Sequence, residues 1–135
     1  MQKVGNWVNP GPMLADITEL TTQDETGNFS NMFQVGENFK IHVHIIYPET
    51  IADVKANYTV RVICVQLAPG VGTGPYGKVY EAELEPNKTE HSLDFGFTAS
   101  SPGAGPGIYF LVATFDFGEA SDFGAYLFGN LFFVS

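Results

Sequence analysis

The 135-residue chain predicts an all-β protein, an antiparallel sandwich of two sheets built from about seven to eight short strands. Three observations predict it. No segment carries the apolar spacing of an amphipathic helix, whereas several alternate apolar and polar residues one by one. Fifteen glycines and eight prolines punctuate the chain at short intervals, and both disfavour helix interiors. Hydrophobic residues make up 44% and charged residues 16%, enough to fill one sizeable core in a chain too short for two ordinary domains.

The elements follow in order. Residues 1–12 read as an N-terminal arm and residues 13–135 as a single β-sandwich domain. "MLADITELTT", residues 13–22, is the first candidate strand. "NFKIHVHIIYP" is the clearest, because Phe39, Ile41, Val43, Ile45 and Tyr47 alternate with Lys40, His42 and His44. Side chains alternate across a strand, so the first set faces a core and the second faces water. Pro48 ends that strand by removing an amide donor. In "NYTVRVICVQL", residues 57–67, Tyr58, Val60, Val62 and Cys64 form one face. The other face turns apolar at Ile63, Val65 and Leu67, the pattern of a central strand covered on both sides.

Three further runs continue the pattern. "KVYEAEL" points Tyr80, Ala82 and Leu84 inward and Glu81 and Glu83 outward. "HSLDFGF" points Leu93, Phe95 and Phe97 inward. "GIYFLVATFDF" is a long strand with Ile108, Phe110, Val112 and Thr114 on one face. The last strand is "AYLFGNLFFV", residues 125–134, where Gly129 suggests a bulge or a close backbone approach. Two Gly-rich segments, 68–77 and 99–107, offer too little apolar surface to pack by themselves and belong on the surface.

"FQVGENFKIHVHI" and "SPGAGPGIYFLVATFDF", with Pro106, Gly107, Ile108 and Tyr109 at the start of its strand, resemble two stretches of immunoglobulin-like domains of bacterial and cell-surface proteins. The first is similar to the turn leading into their second strand, the second to the opening of their sixth. The resemblance implies a sandwich and carries no function. The chain departs from antibody domains by lacking paired cysteines, and Trp7 lies far from the expected third strand. That excludes an antibody-type core and leaves the immunoglobulin-like and jelly-roll classes open.

Charge narrows the function. Six Lys and Arg stand against fifteen Asp and Glu, a net charge of −9. Binding a phosphate backbone needs a basic surface, so no nucleic-acid partner is expected. No apolar stretch approaches the roughly 18 to 20 residues of a membrane span, so no membrane insertion is expected. "MQKVGNWVNPGPM" lacks the apolar run of a signal peptide, and the sequons at Asn28, Asn57 and Asn87 suggest a secreted source. Extracellular and cytoplasmic locations both stay open. Cys64, the single cysteine, reads as a small buried hydrophobe.

Asp-Phe-Gly occurs at residues 94–96, 116–118 and 122–124. The kinase metal motif of that spelling needs a phosphate loop, a strand lysine and a catalytic-loop aspartate, none of which is here. Residues 117–124 read instead as the turn between the last two strands, and Asp94 falls inside a strand. The turn gathers Asp116, Glu119 and Asp122, carboxylates that can bind calcium, although their spacing fits no EF-hand. His42 and His44 point the same way from one strand, a pair many zinc sites use, with His91, Glu81 or Glu83 as the third ligand. Neither group obliges a cofactor, and none is assigned.

No nucleophile–base arrangement is visible, so the leading expectation is a non-catalytic module acting by protein contact. It would be an assembly subunit or an accessory or adhesion domain, its partner a second copy of itself or a larger assembly. A sugar- or small-molecule-binding sandwich and a metalloenzyme on the His-x-His pair are the alternatives. The contact residues expected are Trp7 in the N-terminal arm, Tyr76 in a Gly-rich loop, and Phe132 and Phe133. The last two are adjacent, so one meets the core and the other lies under a loop or exposed on an edge able to pair with another chain.

Overall fold

The computed structural model describes residues 15–49, 57–67, 76–85, 88–99, 106–117 and 124–135. Among these the chain forms eight strands: β1 (Asp16–Gln23), β2 (Met32–Phe33), β3 (Asn38–Ile46), β4 (Asn57–Gln66), β5 (Tyr76–Glu83), β6 (Glu90–Thr98), β7 (Gly107–Phe117) and β8 (Gly124–Val134). They make two sheets, β1-β3-β6 and β2-β8-β7-β4-β5. Every pairing is antiparallel except that of β2 with β8. The two-sheet sandwich expected from the alternation is therefore what forms.

The seven expected strands are all present, and β2 is the addition. Two residues are too few to show a period, and β2 exists because Met32 and Phe33 run parallel to Phe133 and Val134. The turn before it is organised by Asp24, whose Oδ1 accepts from the amides of Thr26 (2.9 Å) and Asn28 (3.0 Å) and from the Thr26 hydroxyl (2.6 Å). These bonds favour the ionised carboxyl, so its pKa is lowered. After β2 the chain turns at Gly36, whose φ of 94° suits glycine, and enters β3 as the Val-Gly-Glu pattern implied. One boundary is corrected. Tyr76 and Gly77, assigned to a loop, open β5 opposite Cys64 and Ile63, because the ladder with β4 runs two residues further than the apolar pattern of β5 reveals.

The core has an aromatic cluster at each end. At one end Phe39 of β3 stacks on Phe33 (centroids 4.6 Å apart) and on Phe97 (5.6 Å) and meets Phe132 (5.4 Å), which stacks on Tyr109 (5.2 Å). Five strands from both sheets thus meet at one point. At the other end Phe115 lies 5.7 Å from Tyr58 and 6.3 Å from Tyr47, edge to face. Ile41, Val43, Val60, Val62 and Leu111 fill the space between, all fully buried. Cys64 is buried among them as expected.

A bulge in β8 holds the sheets in register. Phe110 pairs with Leu131, but Val112 pairs with Phe128, so β8 carries one extra residue at Gly129–Asn130. There β8 comes against β1: a Cβ on Gly129 would lie 2.9 Å from the Leu20 carbonyl oxygen and 3.0 Å from Leu111 Cβ. Asn130 then ties the two sheets together. Its Oδ1 accepts from the Thr22 amide (3.1 Å), and its Nδ2 donates to the Thr22 hydroxyl (2.9 Å). Both expectations for Gly129, a bulge and a close approach, hold at once.

Because the Leu20 carbonyl oxygen and the inner ends of the Leu20 and Leu111 side chains crowd the site, Gly129→Ala is expected to cost about 1–3 kcal/mol of unfolding free energy in urea titration. A loss below about 0.5 kcal/mol would contradict the close approach.

Candidate functional site

Alternation decides which side chains reach the outside of the five-stranded sheet. In β7, Tyr109, Leu111, Ala113 and Phe115 enter the core, so Ile108, Phe110, Val112 and Thr114 take the outer face. In β4 the inward set is Tyr58, Val60, Val62 and Cys64, leaving Thr59, Arg61, Ile63 and Val65 outside. The β8 bulge changes parity part-way. Tyr126 and Phe128 face out before it, Leu131 and Phe133 after it, while Phe132 and Val134 stay buried.

The register lines these residues up. Val112 sits between Phe128 and Ile63, and Phe110 between Leu131 and Val65. Ile108 lies opposite Phe133, with Met32 beyond it. Thr114 sits between Tyr126 and Arg61, followed by Val79. Charge enters at one end, where Arg61, Asp116, Glu81 and Glu83 lie. The result is a continuous apolar surface across β2, β8, β7, β4 and β5. Phe128 is 61% exposed, Tyr126 68% and Met32 71%, although folding usually hides such side chains. Towards that charged end, beside Arg61, Thr114 Oγ1 is the buried side-chain polar atom that has no hydrogen-bond partner among the described residues.

Of the expected contact residues, Phe133 belongs to this surface. Phe132 is corrected to the core, where it is fully buried and stacked on Tyr109, because the bulge sets its parity inward. Trp7 lies outside the described residues, as does the side chain of Tyr76. Glu119 and Asp122 are outside them too, so the expected calcium group is represented by Asp116 alone, half-buried at the end of β7 beside Thr59.

The outer face of the three-stranded sheet is its chemical opposite. Asp16, Thr18, Glu19, Lys40, His42, His44, Glu90, Ser92 and Asp94 stand there. His42 and His44 do point the same way, but their ring nitrogens are engaged by neighbours. His42 Nδ1 lies 2.8 Å from Asp94 Oδ1 and its Nε2 3.3 Å from Glu19 Oε1. His44 Nδ1 lies 2.7 Å from Ser92 Oγ.

The third ligands do not join them. His91 pairs with Ile45 and so has the inward parity of Leu93 and Phe95, on the other face of the sheet from the His pair. Glu81 and Glu83 belong to β5 in the other sheet. Among the described residues no group of three His, Cys, Asp or Glu side chains is arranged to hold a metal ion. The expected His42–His44–His91 centre is corrected accordingly: an odd spacing from Asp94 puts His91 on the wrong face.

His91 instead lines a recess of about 110 Å³ with Tyr47, Tyr58, Tyr80, Glu85 and Lys88. Burial pushes the Tyr58 phenol well above its ordinary value, with repulsion from Tyr80 and Tyr47 adding to it. Burial also raises Tyr47 and Tyr109. In each case the folded state favours the neutral phenol.

The stability this represents is intact below the ordinary phenol pKa of about 10 and is lost as pH rises from there towards the folded-state values. The urea midpoint is therefore expected to hold steady below about pH 9.5 and fall above about pH 10, with a shallower fall in Tyr58→Phe. A midpoint unchanged to about pH 11.5 would contradict this.

No protein-family model matches the sequence, and no curated protein matches it either. Solved structures do. The C-terminal domain of wzt matches with a TM-score of 0.63 at 11% identity, over 93% of this chain and 75% of that one. A CARDB domain from Pyrococcus furiosus, solved in complex with di-metal ions, matches with a TM-score of 0.50 at 17% identity, over 95% and 96% of the two chains. A β-glucosidase from Listeria innocua matches with a TM-score of 0.51 at 14% identity, over 92% of this chain but 16% of the enzyme. Likeness at such identities shows the β-sandwich fold and does not extend to activity.

Proposed function

We propose that the chain is a non-catalytic β-sandwich module that works by protein contact through the outer face of its five-stranded sheet. One observation carries this reading: the apolar surface built from Ile63, Val65, Phe110, Val112, Phe128 and Leu131 is continuous across strands and ends in a charged rim. An apolar centre with a polar edge is the anatomy of a protein interface. Surfaces of this kind on a folded chain mark interaction sites.

A sugar-binding reading draws on the same aromatics but fits them less well. Rings that stack on a sugar work best as a level platform beside hydrogen-bonding groups. Here Tyr126 and Phe128 are inclined at 80° and Phe110 and Phe128 at 48°, and their neighbours are Val112 and Leu131. The rings fill a contact rather than pave a shelf.

Photo-crosslinking tests the proposal. Benzoylphenylalanine placed at Phe128 in the full chain, in the cells that make it, is expected to yield discrete protein adducts, and the same group at Thr21 on the opposite face none. Absence of protein adducts from position 128, or equal yields from the two positions, would overturn the reading.

A further inference from the structure

The contact surface proposed above leaves its occupant open, and three observations narrow it. The first is charge. The chain carries a net charge of −9. Its acidic side chains Asp16, Glu19, Glu90 and Asp94 stand on the three-stranded sheet, where a basic partner would be drawn. On the five-stranded sheet Arg61, Glu81, Glu83 and Asp116 lie at one end, and the rows of Ile108, Phe110 and Val112 with their neighbours Phe133, Leu131, Phe128, Val65 and Ile63 carry no charge. Those rows select a partner that brings an equally apolar surface, and the chain itself has one.

The second is size. With strands about 4.8 Å apart and a rise of about 3.4 Å per residue, four strands by roughly eight residues cover ~500 Å², or ~1,000 Å² over two copies, near the lower bound for a stable interface. Phe128, Tyr126, Leu131 and Val79 project from that plane and add to it. The third is shape. Sheet faces pack on one another by stacking, and a twofold contact between two copies of one face closes without leaving a sticky surface.

We infer that the occupant is a second copy of this chain, packed face to face through the five-stranded sheets about a twofold axis. The inference rests on the contact reading and adds the identity of the partner. Each interface residue appears twice in such a dimer, so one substitution acts twice.

Sedimentation equilibrium of the full chain from about 1 to 100 µM is expected to show a monomer–dimer equilibrium. Added salt should tighten it, by screening the repulsion between two acidic chains. Phe128→Arg is expected to raise the dissociation constant roughly a hundredfold with an unchanged circular dichroism spectrum, and Thr21→Arg to leave it alone. Should Phe128→Arg fail to fold, Val79→Arg on the outermost strand serves in its place.

A wild-type chain that stays monomeric throughout overturns the inference, as does a dimer that survives both substitutions. If that monomer still yields crosslinks from position 128 to other proteins, the contact reading stands and the second copy falls. If it yields none, both fall.

Discussion

The structure depends on one constraint: neighbouring side chains of a strand must leave it on opposite faces. A strand that alternates apolar and polar residues satisfies that rule with one face in the core and one in water, and β3 and β6 are of that kind. β4, β7 and β8 are apolar at both parities over much of their length. Only one parity can enter the core of a two-layer sandwich, so the other is driven outwards by the same pleat. Tyr109, Leu111, Ala113 and Phe115 are buried, and the cost of burying them is that Phe110 and Val112 stand outside. The apolar outer face is thus the unavoidable companion of this core in a chain with a single pair of sheets.

The core itself is pinned from both ends. Phe39 brings Phe33, Phe97 and Phe132 together across the sheets, and Phe115 joins Tyr47 and Tyr58 at the far end. The bulge at Gly129–Asn130 matters more than its size suggests. It brings β8 against β1 through Leu20, joins the sheets through Thr22, and resets parity so that Phe132 and Val134 enter the core and Leu131 and Phe133 do not. Charge is sorted along with hydrophobicity. The outer face of the three-stranded sheet is polar along most of its length, with Asp16, Glu19, Lys40, Glu90 and Asp94 around His42 and His44, whereas on the five-stranded sheet Arg61, Glu81, Glu83 and Asp116 gather at one end and leave the rest apolar.

Much of this was legible in the sequence because period-two alternation survives wherever one face is wet. β3 could be read residue by residue, and β4 was recognisable as a central strand, but its second face, expected to be covered, stands outside with Ile63 and Val65 half-buried and Leu67 exposed. The glycine of β8 signalled an irregularity. The outer face itself was harder. Which of Phe132 and Phe133 turns inward depends on how many residues the bulge inserts, and that count is settled by pairing with β7. β2 was invisible because two residues have no period. The metal grouping failed for a related reason: His42 and His44 share a parity within one strand, but the parity of His91 is fixed by its own strand, where Leu93, Phe95 and Phe97 commit it inward. Residues on one strand can be compared by counting, whereas residues on different strands need the register.

The account stands on the apolar face being covered by protein in the working state. Methyl and aromatic signals read against a soluble paramagnetic probe measure this residue by residue, in dilute and in concentrated solution. The account predicts that Ile63, Val65, Val112 and Phe128 are accessible to the probe when dilute and become protected together as concentration rises, while His42, Asp94 and Thr21 stay equally accessible throughout. The face remaining open at every concentration, or protection appearing on the three-stranded sheet instead, would contradict it.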